Sequence, residues 1–274
     1  VPIVKKQTMR RSTAGDGVLD RIRPVSVSDR GIKFCVYGRG KTGKTRLAST
    51  FPKPLLIIGT EDGTRSVATT PRLDFFPLKT SSEIDEIVDS LGSLKYKTLV
   101  LDTAGGLQDM VLKEILGLED LPVQKTWGIA KQQDWGTCGA QTKERLRRIL
   151  DTADQSDTNV VVIAHERNFD GGDENDLIFP TVGAALTPSV AGWLNGACDY
   201  IGQTFIRESV TDQEITIGKK TVTKQKKTGG VDYCLRVGPH PVYMTGFRVP
   251  EGVVVPDAIV DPHYDKIVKL IKGK

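Results

Sequence analysis

With 274 residues, 38% hydrophobic and 26% charged, the chain is long enough to bury a sizeable core, and its composition is that of an ordinary soluble globular protein. The formal net charge of +4 is too small to establish a nucleic-acid partner by itself. No apolar run approaches membrane-spanning length, no leader pattern follows Val1, and the four scattered cysteines form no C-x-x-C pair; the expected compartment is the cytoplasm, of a host cell if the source is viral.

Residues 1–30 are basic (Lys5, Lys6, Arg10, Arg11, Arg21, Arg23, Arg30) and weakly periodic, which predicts an arm that is flexible alone or docks on a neighbouring subunit. Ile32 to Tyr37 is apolar and β-branched, as a buried parallel strand requires, and Thr45 to Thr50 reads as a short helix. Between them stands G-R-G-K-T-G-K-T, a complete G-x-x-x-x-G-K-[ST] phosphate-binding loop in the strand-to-helix context that gives the pattern its meaning. Its glycines let successive N–H groups curl around phosphate oxygens at a helix N-terminus. Nucleotide contact is expected over Gly38, Arg39, Gly40, Lys41, Thr42, Gly43, Lys44, Thr45 and Arg46. Lys44 reaches the β- and γ-phosphates, and the Thr45 hydroxyl is a Mg²⁺ ligand.

Further along, Pro54 to Glu61 and Thr98 to Thr103 read as core strands, each with an acid at its C-terminal end, and Ser81 to Leu94 reads as a helix capped by Ser81 or Ser82. Leu107 to Leu116 is a predicted helix, Gly117 to Gly139 a looser stretch, and Ala140 to Ala153 a helix with Arg145, Arg147 and Arg148 on its wet side. Asn159 to His165 is a fourth strand, followed by a polar, glycine-rich loop from Asn168 to Leu186. Tyr200 to Arg207 and Val231 to Val237 read as strands flanking a lysine-rich hairpin, and Pro262 to Lys272 as an amphipathic helix. The alternation predicts an α/β fold with a mostly parallel sheet wrapped by helices. The expected organisation is a core over 31–206, a β-hairpin extension over 207–250 and a tail with a short helix over 251–274.

Three strand tips supply the remaining chemistry. Asp102 closes an apolar strand and fits the carboxylate that holds Mg²⁺ through water. Glu61 is the candidate base for an attacking water, with Asp62 as its rival. His165 is placed to sense the γ-phosphate and to pass its presence to the loop beyond.

The order Gly38 to Thr45, Glu61, Asp102-Thr103 and His165 resembles the RecA-like P-loop ATPase core. The phrases V-I-A-H-E and L-V-L-D-T, with the tail from Arg248 to Pro262, are similar to the small phage-type single-strand annealing and recombination ATPases, relatives of RecA and RadA. RecA carries Gln where this chain has His165, a departure that suits the phage group. The resemblance implies an ATPase using ATP and Mg²⁺, assembled as a ring or filament on single-stranded DNA with ATP between subunits, and a single-strand-binding protein as a further partner. It maps the first DNA-binding loop onto 117–139 and the second onto 168–186: Trp127, Trp135, Phe169 and Phe179 would stack on bases, while Lys125, Lys131 and Arg167 meet phosphates. Asp170, Asp173, Glu174 and Asp176 would repel the same backbone. Arg248 lies where RecA relatives place a residue reaching the neighbouring subunit's γ-phosphate, although the usual companion lysine is missing. Alternatives are a hexameric motor or helicase-loader ATPase, and a nucleotide-gated DNA-binding scaffold with negligible turnover.

Overall fold

The computed structural model describes residues 30–119, 130–169, 182–217 and 220–273. Strands β1 (Lys33–Gly38), β2 (Leu55–Gly59), β3 (Leu73–Pro77), β4 (Thr98–Asp102) and β5 (Asn159–Asn168) are joined by β6 (Val182–Ala184), β7 (Tyr200–Ile217), β8 (Lys220–Arg236), β9 (Gly246–Phe247) and β10 (Ala258–Val260). They form one sheet in the order β10-β8-β7-β1-β5-β4-β2-β3, with β6 beside β5 and β9 beside β7. Every neighbour from β7 to β3 is parallel, whereas β8 turns back antiparallel on β7. β1, β2 and β4 are buried almost throughout, as strands covered on both faces must be.

Alternation along β1 divides the core in two. Cys35 and Tyr37 face α2 (Glu83–Leu94), α3 (Ala104–Leu116), α4 (Gln132–Gln155) and α5 (Pro188–Ala197); Phe34 and Val36 face α1 (Lys44–Ala48) and α6 (Tyr264–Ile271). Phe51 links the two helices of the second face, its ring 6.0 Å from Phe34 and 4.9 Å from Tyr264. Ile267 and Ile271 bury the apolar side of α6, and Val268 is half-buried beside them.

The fold is the expected α/β class, with local differences that have physical causes. Neither Ser81 nor Ser82 caps α2 through its side chain: the Glu83 carboxylate accepts the N–H groups of Lys79 and Thr80 at 2.7 and 3.2 Å, and Ser81 donates to Glu114 of α3. Helix α4 begins at Gln132 rather than Ala140, because the Asp134 carboxylate takes the Lys131 N–H at 2.7 Å and fixes the entry. Arg145 and Arg148 leave the wet side to pair with Asp85 and Asp89 of α2; Arg147 stays exposed. The lysine-rich stretch is strand: β7 and β8 pair through it to Ile217↔Lys220, with a bulge between Glu208 and Val210. Strand β3, strand β6 and helix α5 have no counterpart in the sequence reading.

Candidate nucleotide site

The chain leaves β1, fills β2 to β4 on one side, inserts β5 between β1 and β4, and then lays β7 on the far side of β1. That reversal opens a crevice at the C-terminal strand ends, where open α/β sheets take their ligands. The register is specific: Gly38 lies level with His165 on one side and Thr204 on the other, and Gly59 lies level with Asp102.

Sterics account for the phosphate loop's shape. A Cβ on Gly38 would stand 2.4 Å from the Thr204 hydroxyl and 2.5 Å from its carbonyl oxygen, so only glycine passes beneath β7. Gly43 turns the chain at φ 90 into α1. At Gly40 a Cβ would meet nothing within 4 Å; protein packing does not require glycine there, and close approach of a ligand to the backbone would. Thr42 ties the loop down, donating to the Arg39 carbonyl at 2.8 Å and sharing a 2.6 Å hydrogen bond with Thr204. Lys41 and Arg46 are exposed on the flanks.

Lys44 is only 7% exposed, and its ammonium donates to the carbonyls of Gly38 (2.9 Å) and Arg39 (2.7 Å). Burial lowers its pKa from the ordinary lysine value, opposed by the negative charges of Asp102 and Glu166. Thr45 donates its hydroxyl to Asp102 at 2.8 Å, joining the loop to the β4 tip. Burial pushes the Asp102 carboxyl above the usual carboxylate range; the Thr45 hydrogen bond and Lys44 oppose the rise, Glu61 adds to it and His165 counters it. A hydroxyl beside a carboxylate suits a hard divalent cation. Among the described residues no cluster of His, Cys, Asp or Glu could hold a metal alone, so Mg²⁺ here would draw its remaining ligands from nucleotide and water. The residues fit ATP with Mg²⁺.

Glu61 is held near Asp102 by its neighbours. The Thr60 N–H donates to the Asp102 carbonyl at 2.8 Å, and the Thr60 hydroxyl accepts the Thr103 N–H at 3.1 Å. The Glu61 side chain is exposed and makes no hydrogen bond with the described residues, whereas Asp62 is engaged by the Thr64 hydroxyl at 2.9 Å. This separates the two acids by availability, with Glu61 the free one. His165 is exposed at the last position of the β1–β5 pairing, and β5 runs three residues beyond the expected strand end to Asn168.

The expected nucleic-acid residues divide. Arg167 and Phe169 come together after His165, the guanidinium 5.5 Å from the ring centroid. Lys131 is exposed at the start of α4, and Trp135 packs against the core. Lys125, Trp127, Phe179 and the acidic cluster Asp170 to Asp176 lie outside the described residues. Arg248 sits at the opposite end of the strands, donating to Asp199 at 2.6 Å and to the Gly196 carbonyl at 3.0 Å. Sequence reasoning missed Thr204, Gln203 and Glu166, which brace the loop from β7 and β5; their only signal was position, level with Gly38 or one residue to either side of that level.

Sheet order, loop and the Thr45–Asp102 contact together define a P-loop ATPase of the RecA-like type. Residues 30–248 match the family model described as AAA domain, and the chain belongs to that family. No curated protein matches it. Among solved structures it is similar to the flagellar accessory protein FlaH from Methanocaldococcus jannaschii, at 12% identity over 84% of each chain and a TM-score of 0.39, a likeness too distant to carry an argument. Among the described residues, no helix is long and apolar enough to cross a membrane.

Proposed function

We propose that this chain hydrolyses ATP in dependence on single-stranded DNA, in the manner of the phage-type recombination and annealing ATPases, and does so as a cytoplasmic ring or filament with nucleotide at the subunit interfaces. The observation that carries the hydrolytic part is the hydrogen bond between Thr45 and Asp102 with the Glu61 charge acting on the same carboxyl, which supports phosphate, metal and base roles for one edge of the sheet. Bound MgATP supplies the scissile phosphoryl group and the cation that neutralises it. Lys44 meets the growing negative charge with an ammonium already stripped of water, and Thr45 and Asp102 hold the cation's position. Glu61 orients the attacking water and accepts its proton. His165 senses the γ-phosphate from its place level with Gly38, and β5 carries Arg167 beyond it with Phe169 just past the strand's end, which supports contact with a nucleic-acid strand by charge and stacking.

Turnover measured with and without single-stranded DNA, beside negative-stain images, tests the proposal. DNA stimulates hydrolysis and orders the particles on this reading. Equal turnover in both conditions, with no band shift, would remove the DNA and leave a P-loop ATPase. Separation of a forked duplex would move it to the motor class, and DNA binding without turnover to the gated scaffold.

A further inference from the structure

Glu166 takes no part in the chemistry above, yet it is the centre of a polar chain running from the phosphate loop to the root of the β7–β8 hairpin. One carboxylate oxygen accepts the Arg39 Nε–H at 2.8 Å, and the other accepts the Gln203 amide at 3.1 Å. The Gln203 oxygen in turn accepts Arg236 Nε–H at 3.3 Å. Arg236 is packed between two rings, 4.9 Å from Phe205 and 4.5 Å from Tyr243. These residues line a cavity of about 440 Å³ together with Arg39 and Gly40 of the loop itself.

The two partners of the ion pair are unlike. The Glu166 side chain is 14% exposed and anchored on two sides, whereas that of Arg39 is 83% exposed. A pair so open to water contributes little to stability. Its effect is on placement, because the Arg39 main-chain carbonyl is the hub of the loop: it accepts both Lys44 Nζ (2.7 Å) and the Thr42 hydroxyl (2.8 Å). Holding the Arg39 side chain therefore holds the carbonyl that aims the phosphate-binding lysine.

We propose that Glu166 is a positioning residue for ATP binding, acting through Arg39 on the carbonyl that orients Lys44, with Gln203 and Arg236 fixing Glu166 in turn. Its reach extends from β5 and β7 into the loop, so the hairpin root and the nucleotide site share one set of hydrogen bonds.

The inference rests on the ATP-binding reading above, and the test separates the two. MgATP binding and steady-state turnover are measured for the wild type, Glu166→Gln, Glu166→Asp, Arg39→Ala and the Glu166→Gln/Arg39→Ala double variant, with melting of the nucleotide-free proteins alongside. Glu166→Gln keeps the shape and the Gln203 contact and removes the charge; KM for MgATP rises about five-fold, kcat stays within about two-fold, and melting moves by less than about 2 °C. Glu166→Asp recovers part of the affinity. Arg39→Ala shows a similar rise, and the double variant shows no further loss, the non-additivity expected of a contacting pair. A wild type that bound no MgATP would sink both readings. Wild-type binding with unchanged or tighter binding by Glu166→Gln, additive losses, or a loss that merely tracks lower stability, overturns this inference alone.

Discussion

The two ends of the parallel strands handle charge in opposite ways. At the N-terminal end Arg248 pairs with Asp199, and Lys33 and Arg30 pair with Asp154, while Lys53 is held by the Ser49 and Phe51 carbonyls. At the C-terminal end Lys44 is buried and Asp102 half-buried with incomplete compensation, and burial displaces both toward their neutral forms. One end is largely neutralised by the fold, whereas the other, on the proposed reading, is completed by a triphosphate and a cation. Free energy withheld from stability at that edge is returned on binding, the usual trade between stability and activity.

The comparison is sharpened first by Lys44→Ala, which removes the desolvated cation and lowers turnover about 10³-fold. The same variant loses the thermal stabilisation by MgATP, which in the wild type at 100 times Kd is about 2.7 kcal/mol, or roughly 5–10 °C for a chain of this size. Next comes Glu61→Gln, with turnover down about 10²-fold and the MgATP thermal shift intact. Asp62→Asn leaves turnover unchanged, since that carboxylate is occupied by Thr64; loss of turnover there with Glu61→Gln active would exchange the roles of the two acids.

A smaller effect tests the claim of withheld stability. Asp102→Asn raises the melting temperature of the nucleotide-free protein at neutral pH while abolishing hydrolysis. The native Asp102 pKa lies above its unfolded value, so ionisation favours the unfolded chain as pH rises through the native pKa. The advantage of the Asn variant is therefore largest at neutral pH and shrinks as pH falls and the folded carboxyl takes its proton. A melting temperature that falls on substitution would show the edge to be compensated after all. Smallest is Arg248→Ala, which lowers melting by about 1–2 °C and leaves kcat alone. Lost turnover without lost stability would instead place Arg248 at a neighbour's phosphate and break the contrast between the ends.

The placement of the candidate site's residues was largely legible in the sequence, because the phosphate loop fixes its own geometry and each remaining group ends an apolar run. Lys44, Thr45, Asp102, Glu61 and His165 meet as sequence spacing predicts, since parallel strands present their C-terminal residues at one edge. The elements that escaped notice are set by partners distant in sequence. Helix α4 was expected only from Ala140, after a looser stretch from Gly117 to Gly139; the helix runs through Gly136 and Gly139, where a Cβ would meet nothing within 4 Å at the first and only ordinary contact with Val190 of α5, at 3.7 Å, at the second. Strand β3 ends in Pro77 at the sheet border, where no further strand needs its N–H. Glu166 was invisible as a positioning group because its meaning lies in Arg39 and Gln203, the first 127 and the second 37 positions away along the chain.

Strands β5 and β6 are stitched by the pairs Glu166↔Ala184, Arg167↔Gly183 and Asn168↔Val182, and the Tyr37 hydroxyl anchors the Val182 carbonyl to the strand that launches the phosphate loop. Whatever sequence lies between those strands enters and leaves at one fixed doorway. The doorway itself is set by β1, β5 and β6, so a change in loop length there leaves the strands that carry the phosphate loop in register; each doubling of a closed loop's length costs only about 0.6 kcal/mol in general.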